Sequence, residues 1–492
     1  MPATMADRLW LPGRRLLTAG LVMTVTLVAF ESLAVATVLP IIVGQLGGVA
    51  FYGWVASAFF LGTLVGIVIA GAATDRSGPA APFVVGLALF GVGLLGASLA
   101  PTMPVLVAFR AVQGIGGGAI PAVAYASIGQ VYPDALRPRM FAVLSTAWVV
   151  PGVAGPAVAV LIAQAVSWRL VFAALLPLVV VAGLLTVGAL RELGAGAGAG
   201  ADEGPPILDA IRVAAGAGLA IAGLSVAGLW TAPLLLAGAA VGARSLARLL
   251  PPGTGRAAPG LPATVLSRGL LTFAFFGADT FVPLALTSLR DASGMLVGVS
   301  VTATTLVWTI GSWVQERLAS RVAGRWLVRT GLAIVVAGTG AFAWVFVPAV
   351  PIGVPMAASM LAGFGMGLSY SQTATIVLRE TGPRRAGAMS TALQLADTLG
   401  TALGAGVGGA AIAIARRHGE GIGPGLGAAL AVAASLGMIG AALAGRLPPG
   451  SAAAATPTAP APVPEPLPEP VPEPVPEPAP AAEPSRRRSL DR

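Results

Sequence analysis

Three acidic residues and one arginine stand inside apolar stretches where a charge is expensive. Glu31 lies in FESLAVATVLP (30–40), Asp279 in FFGADTFVP (275–283), Asp397 in QLADTLG (394–400) and Arg110 in LVAFRAVQGIGGG (106–118). A charge at the centre of a membrane helix costs about 2.5–3.5 kcal/mol on insertion scales, so such groups face an interior and mark function. A carboxyl withdrawn from water favours its neutral form, which lets it load and release a proton as its access alternates. Glu31 stands about 22 Å from the start of its helix, at 1.5 Å per residue. Proton or cation handling is the expected role, and a structural pairing with Arg110 is the alternative. Asp279 is read as the matching acid of the second half, for protons or for substrate. Asp397 admits the same two roles.

The elements that must position these groups follow from composition. The 492 residues are 56% hydrophobic and 10% charged, with a mean hydropathy of +0.86. A soluble chain carries about 25% charged residues. Apolar runs long enough to cross a bilayer recur up to about residue 446. The fold class expected is therefore an all-α polytopic membrane protein. Cysteine is absent, the only histidine is His418, and all 29 basic residues are arginine. Those counts exclude cysteine chemistry, histidine-rich metal sites and a lysine-bearing phosphate loop. No nucleophile–base or metal constellation is visible, so an enzyme is not expected. The net charge of +9 is spread over short loops, which speaks for topology and against nucleic acid.

Fourteen spans are expected, at about 16–43, 52–73, 82–100, 104–132, 139–164, 168–190, 207–229, 231–250, 262–289, 294–314, 326–348, 352–378, 386–416 and 421–446. With residues 1–15 in the cytoplasm, arginines 8, 14, 15, 76, 137, 139, 191, 244, 248, 256, 268, 317, 321, 325, 329, 379, 384, 385 and 446 fall on one side. Four more in the tail join them. Only Arg169, Arg290, Arg416 and Arg417 fall on the other, as the positive-inside rule requires. The segment 191–206 reads as a flexible cytoplasmic linker, and 447–492, with its VPEP repeats, as an extended cytoplasmic tail.

The chain also repeats itself. Residues 139–159 align with 384–404, matching Arg139 to Arg384 and the STA triplets at 145–147 and 390–392. GIGGG (114–118) and GFGMG (363–367) precede them. Six-helix bundles at 16–190 and 262–446, with a hairpin at 207–250 between them, give a 6+2+6 arrangement. Repeats of this kind with a site at their interface are typical of secondary transporters. In the repeat, Arg110 has no basic counterpart, Ser359 taking its place, and Asp397 falls where Gly152 stands. GIGGGA also fits a dinucleotide fingerprint, but it lacks the βαβ context, and close helix packing explains it better.

Five motifs in order then resemble a known family. FESLAVATVLP, with Glu31 nine positions before Pro40, is similar to the first-helix signature of the fourteen-helix drug:proton antiporters of the major facilitator superfamily. GAATDRSGP (71–79) resembles their loop motif through Gly71, Asp75, Arg76 and Gly78, with Pro79 in place of a second basic residue. Arg110, Gln113 and Gly114 match R-x-x-Q-G. GVAGP (152–156) resembles the fifth-helix antiporter motif, through Gly152, Gly155 and Pro156, with Val158 and Ala159 where glycines are usual. SWRLVFAALLP (167–177) resembles the W-R-x-x-F element.

The resemblance implies a proton-coupled exporter of lipophilic, cationic or neutral drugs or metabolites, with antibiotic resistance as a consequence. It needs no cofactor beyond the proton gradient. The coupling set is Glu31, Asp279, Asp397 and Arg110. Gln113, Tyr125, Trp148, Trp308, Tyr370 and Gln394 are candidates for the substrate cavity, each with packing as its alternative. The loop and GVAGP residues are candidates for the gate. The expected partners are a small lipophilic molecule, protons and the lipid bilayer. A monomer in a bacterial plasma membrane, with both termini cytoplasmic, is expected. Proton-coupled uptake and a non-transporting receptor or scaffold are the alternatives.

Overall fold

Proline and glycine decide where the helices stop and how closely they approach. The computed structural model describes residues 15–448 apart from 133–135, 137–139, 141–142, 145, 194–206, 227 and 382–385. The first fourteen residues, most of the 191–206 linker, the tail from 449, Arg137, Arg139, Arg384 and Arg385 thus lie outside the described residues. Every regular element among the described residues is helical. The helices are α1 (Arg15–Leu46), α2 (Tyr52–Ser77), α3 (Ala80–Leu99), α4 (Met103–Val131), α5 (Val149–Ala165), α6 (Trp168–Ala173), α7 (Leu175–Arg191) and α8 (Ile207–Val226). They continue as α9 (Thr231–Leu249), α10 (Leu261–Asp279), α11 (Val282–Arg290), α12 (Gly294–Leu318), α13 (Gly324–Phe342), α14 (Gly353–Glu380), α15 (Ala386–Arg417) and α16 (Ile422–Leu443).

Two expected single spans are broken. The span at 168–190 divides after Ala173, and the span at 262–289 divides after Asp279. Each break falls four residues before a proline, Pro177 and Pro283. A proline has no N–H for that carbonyl, and its ring crowds it. Pro151 acts alike on the expected span 139–164, where helical residues up to Thr146 are followed by a turn at 147–148 before α5 starts at Val149. Among the described residues, twelve stretches are long and apolar enough to cross a membrane, with α6–α7 and α10–α11 counting once each. The two other expected spans are present as α5, of 17 residues, and as α14, which is not among the twelve.

The internal repeat reappears as packing. On α4, Gly114 and Gly118 meet the backbones of Phe59 and Thr63 on α2, whereas Gly116 meets Gly86 and Phe90 on α3. On α14, Gly363 and Gly367 meet Thr304 and Trp308 on α12, whereas Gly365 meets Gly331 and Val335 on α13. Gly62 and Gly66 of α2 close the first interface from the other side, against Ala111 and Ile115. Small residues let backbones touch where lipid offers no hydrophobic drive. So α4 lies between α2 and α3 as α14 lies between α12 and α13.

The two sets meet by exchanged contacts. Ser57 Oγ on α2 donates to the Ala402 carbonyl on α15 at 2.8 Å, and Gly53 abuts Gly409. In the reciprocal contact, Gly298 of α12 abuts Pro156 of α5 and Gly152 abuts Thr305. Helix α8 spans the α2–α15 seam, with Trp54 Nε1 3.4 Å from Ser225 Oγ and Ile221 against Gly406. Helix α9 packs on α8 through Gly216, Gly238 and Gly242.

A side chain on Gly114 would overlap the Phe59 carbonyl, whereas Gly188 on α7 has nothing within 4 Å of a built Cβ. Gly114→Val is expected to lower stability by about 1–3 kcal/mol or more through overpacking. Gly188→Ala is expected to leave it unchanged or raise it by about 0.5–1 kcal/mol. Thermal unfolding of the detergent-solubilised protein reads both, and equal melting of the two variants would show that the α2–α4 contact is not tight.

Candidate functional site

Glu31 sits midway along α1 and is fully buried, and Arg110 on α4 is 3% exposed. Arg110 Nη1 pairs with Glu31 Oε1 and donates to Gln113 Oε1 at 2.6 Å. Its Nε reaches the Val55 carbonyl at 3.3 Å, and its guanidinium lies 4.2 Å from the centroid of the Phe59 ring. The local sequence explains the arrangement. Arg110 and Gln113 stand three residues apart and so share one helix face, while Gly114 beside them lets α2 approach until Phe59 covers the guanidinium. Gly93 of α3 leaves room for Gln113 in the same way. Glu31 Oε2 and Gln113 Nε2 are buried without a hydrogen-bond partner. The cluster therefore holds a neutralised charge, one free acceptor and one free donor out of reach of solvent.

A second charge cluster joins α10, α14 and α15. Arg268 Nε contacts Asp397 Oδ1 at 3.2 Å, and Nη1 donates to Thr373 Oγ1 at 2.8 Å and to the Tyr370 carbonyl at 2.5 Å. Its guanidinium carbon lies 3.0 Å from the Tyr370 ring centroid. The Tyr370 hydroxyl donates to Asp397 Oδ2 at 3.0 Å. Sequence reasoning placed Arg268 with the cytoplasmic arginines, and the structure corrects that: it is a buried side chain within α10. The signal was present, since 268 falls inside the expected span 262–289. Arg110 thus has a counterpart as a buried, carboxylate-paired arginine, but on the first helix of the second set. Ser359, which stands at its repeat position, bonds Thr304 instead, at 3.2 Å.

An unbroken run of rings links the two clusters. Phe59 contacts Phe60 at 5.4 Å, Phe60 contacts Phe276 at 6.5 Å, Phe276 contacts Trp308 at 6.1 Å and Trp308 contacts Tyr370 at 5.5 Å between centroids. The Phe60–Phe276 step crosses from α2 to α10. Trp308 and Tyr370 were expected at a cavity, whereas Phe59, Phe60 and Phe276 were missed, because neighbouring phenylalanines in apolar helices look like ordinary packing.

The other expected residues fall in three places. Gln394 lines a cavity beside Arg268, Tyr370 and Asp397. Tyr125 and Trp148 are exposed, at 40% and 44%. Asp279 ends α10 in a small apolar recess with Phe275, Thr339 and Phe342, joined to neither cluster. In the gate motifs, Gly155 lies against the Phe30 ring beside Glu31, and Gly152 against Thr305. Asp75 and Arg76 are exposed in the last turn of α2, where Gly78 takes a φ of 79°, a left-handed value that glycine tolerates. Gly71 is half-buried on the same helix. Trp168 Nε1 donates to Gln45 Oε1 at 3.0 Å and Arg169 stacks on Trp168, so the W-R element fixes α6 against the end of α1. Among the described residues no group of three histidine, cysteine or acidic side chains forms a metal site.

Comparison with known proteins adds a family and a fold. Residues 21–405 match the sequence family described as the Major Facilitator Superfamily. A relative named a probable multidrug-efflux transporter, from Mycobacterium tuberculosis, is 28% identical over 400 residues, covering 78% of this chain and 84% of the relative. Multidrug resistance protein 3 of Bacillus subtilis is 32% identical over 153 residues, 31% of this chain and 30% of that protein. The crystal structure of a bacterial homologue of the human lysosomal transporter Spinster superposes with a TM-score of 0.63 at 18% identity, over 88% of this chain and 96% of that one. An auto-inhibited POT family peptide transporter superposes at 0.64 and 15%, over 87% and 96%.

Removing one partner of a buried ion pair strands the other charge, at a cost of about 3–5 kcal/mol. Arg110→Met is therefore expected to destabilise the solubilised protein by that order, and Glu31→Gln with Arg110→Met to recover much of the loss. Thermal unfolding of the two single variants and the double variant measures the coupling, and strictly additive effects would dissolve the pair.

Proposed function

The chain belongs to the Major Facilitator Superfamily, and on that premise we propose that it is a proton-coupled secondary exporter of lipophilic cationic or neutral compounds, working by alternating access. It is a multi-pass membrane protein of a transporter family, not of an enzyme class. The observation that carries the proposal is the sealed cluster of Glu31, Arg110 and Gln113, with one glutamate oxygen unpartnered. A proton taken up on Oε2 leaves Oε1 on Arg110 but removes the negative charge between α1 and α4. The attraction that holds those helices together then changes with proton occupancy. At the other end of the ring path, Asp397 of the expected coupling set faces Arg268, and Asp279 is a third carboxyl within the membrane region. The two relatives named for multidrug efflux or resistance support export as the direction.

The fourteen-span, 6+2+6 arrangement belongs to this reading. It adds α5 and α14 to the twelve apolar stretches and treats 207–250 as the inserted hairpin. With both termini cytoplasmic, the contacts Gly53–Gly409 and Gly294–Gln164 lie toward the outer side. Tyr125 and Trp148 lie toward the inner side and are exposed. That distribution supports an inward-open state. The pivots are then the α5–α12 and α2–α15 contacts, with Gly152 and Pro156 in the first and Gly155 beside it against Phe30 of α1, and the α2 end at 71–78 is the inner gate. Gln113, Trp308, Tyr370 and Gln394 stand along the ring path a lipophilic molecule would meet. A bacterial plasma membrane, a monomeric state and no cofactor complete the reading. The membrane potential supplies about 2.3 kcal/mol per charge per 100 mV, enough to make exchange of protons for a drug feasible.

Efflux of a fluorescent lipophilic cation from energised cells tests the proposal. The intact protein is expected to show efflux abolished by an uncoupler, and Glu31→Gln at equal membrane expression to fall to the level of empty cells. Efflux from the variant equal to that of the intact protein would remove Glu31 from coupling. Accumulation above that of empty cells would replace export by uptake.

A further inference from the structure

Two exposed arginines from different helices converge on one carboxylate where α8 starts and α9 stops. Arg212 of α8 and Arg248 of α9 bring their Nη1 atoms to 3.9 and 3.6 Å from a single oxygen, Asp209 Oδ1. The same oxygen accepts a 2.7 Å hydrogen bond from Ser245 Oγ, on a buried residue of α9. We propose that the two guanidiniums bind the headgroup phosphate of an anionic phospholipid, whose acyl chains lie along the exposed apolar face of the hairpin.

The charges leave room for an anion. Asp209 offsets one of the two guanidiniums, and Arg244, one turn before Arg248 on the same exposed face, adds another positive charge. The donors are uncommitted as well. At 3.6 and 3.9 Å the arginines are paired with Asp209 but not hydrogen-bonded to it. Among the described residues no other acceptor meets either guanidinium. Their side chains are 50% and 46% exposed, whereas that of Asp209 is 16% exposed. The acid is thus a recessed floor that gathers two arginine forks, and an arriving group meets the forks first. Planar pairs of N–H donors match phosphate oxygens.

The surroundings select a lipid over free phosphate. Leu208 and Ile211 are exposed on the face of α8 that carries Arg212. Leu236 and Val241 are exposed on the turns of α9 that lead to Arg244. Of the twelve apolar stretches, Thr231–Leu249 is the least buried in the protein, at 17%. A free anion would leave all of this apolar surface unused, whereas a phospholipid covers it while its phosphate meets the arginines. A zwitterionic lipid brings an ammonium group, for which the recessed Asp209 is a poor partner. The lipid selected therefore carries net negative charge.

The site goes beyond the exporter reading, and its test uses no gradient. Only the leaflet, the inner one, rests on the topology proposed above. The full chain, purified in detergent, is titrated with dioleoyl phosphatidylglycerol and with dioleoyl phosphatidylcholine. Native mass spectrometry reads the dissociation constant of the first lipid bound. Phosphatidylglycerol is expected to bind about tenfold tighter or more. Arg212→Gln with Arg248→Gln should remove that preference. Arg317→Gln with Arg321→Gln takes the same charge from exposed arginines that share no carboxylate among the described residues, and should change it less than about twofold. Leu208→Glu places an acid four residues before Arg212, where it competes for that guanidinium, and should also weaken phosphatidylglycerol. It decides the matter if the double variant does not elute as a single species. Equal affinity for the two lipids, a preference kept in the Arg212 and Arg248 variant, or an equal loss in the Arg317 and Arg321 variant would each overturn the proposal. Displacement of phosphatidylglycerol by an equal concentration of inorganic phosphate would overturn the lipid in favour of a free anion. Lipid preference without efflux would sink the exporter reading and leave this site standing, and efflux without lipid preference would do the reverse.

Discussion

A fully buried glutamate against a fully buried arginine is the constraint around which the first half of the molecule is arranged. Moving either charge out of water costs several kcal/mol, and the attraction offsets that only if the geometry is good and the remaining donors are used. The neighbouring elements meet those terms in part, with the Gln113 Nε2 donor left unused. Helix α4 supplies Gln113 one turn beyond Arg110, α2 supplies the Val55 carbonyl and the Phe59 ring, and α3 gives way at Gly93. One acceptor, Glu31 Oε2, is left over. A site built for stability alone would have satisfied it. A site built to change its charge has a use for a free oxygen.

That arrangement requires helices that touch, and glycine provides it. The glycines on α4 are spaced so that alternate ones face α2 and α3, and those on α14 do the same for α12 and α13. The same spacing thus builds two similar frames, which hold different chemistry. In the first, the arginine is on α4 and the acid on α1. In the second, the arginine has moved to α10 and the acid to α15. The frame is repeated and the charges are redistributed on it, so each half keeps one neutralised pair. One pair is sealed and the other is open to a cavity.

The ring path between the pairs gives the halves a common polarizable seam. Its crossing step, Phe60 to Phe276, joins α2 and α10, and Trp308 carries it to the face of Tyr370. Aromatic contacts of this kind are individually modest, about 0.5–1.5 kcal/mol beyond area burial. They are also non-directional enough to slide. The rings share the interface between the two sets with the hydrogen bond from Ser57 Oγ to the Ala402 carbonyl.

The sequence by itself determined the helical class, the positions of the apolar stretches, the repeat and the pairing of Glu31 with Arg110 as an alternative role. Apolar length and arginine placement are local properties, and the i,i+3 relation of Arg110 to Gln113 needs only helix geometry. It also contained the prolines that divide two spans, although their effect is visible only where the helix ends four residues earlier, at Ala173 and Asp279. Only the tertiary structure decided which acid is paired. Asp279 matched Glu31 by position along its half, yet Asp397 holds the arginine, because partner choice depends on which helices lie adjacent and at what depth. Arg268 was read as a loop charge because a sequence gives its distance from a span's end and not what faces it. Phe59, Phe60 and Phe276 became a path only when two helices from distant parts of the chain, α2 and α10, were brought side by side.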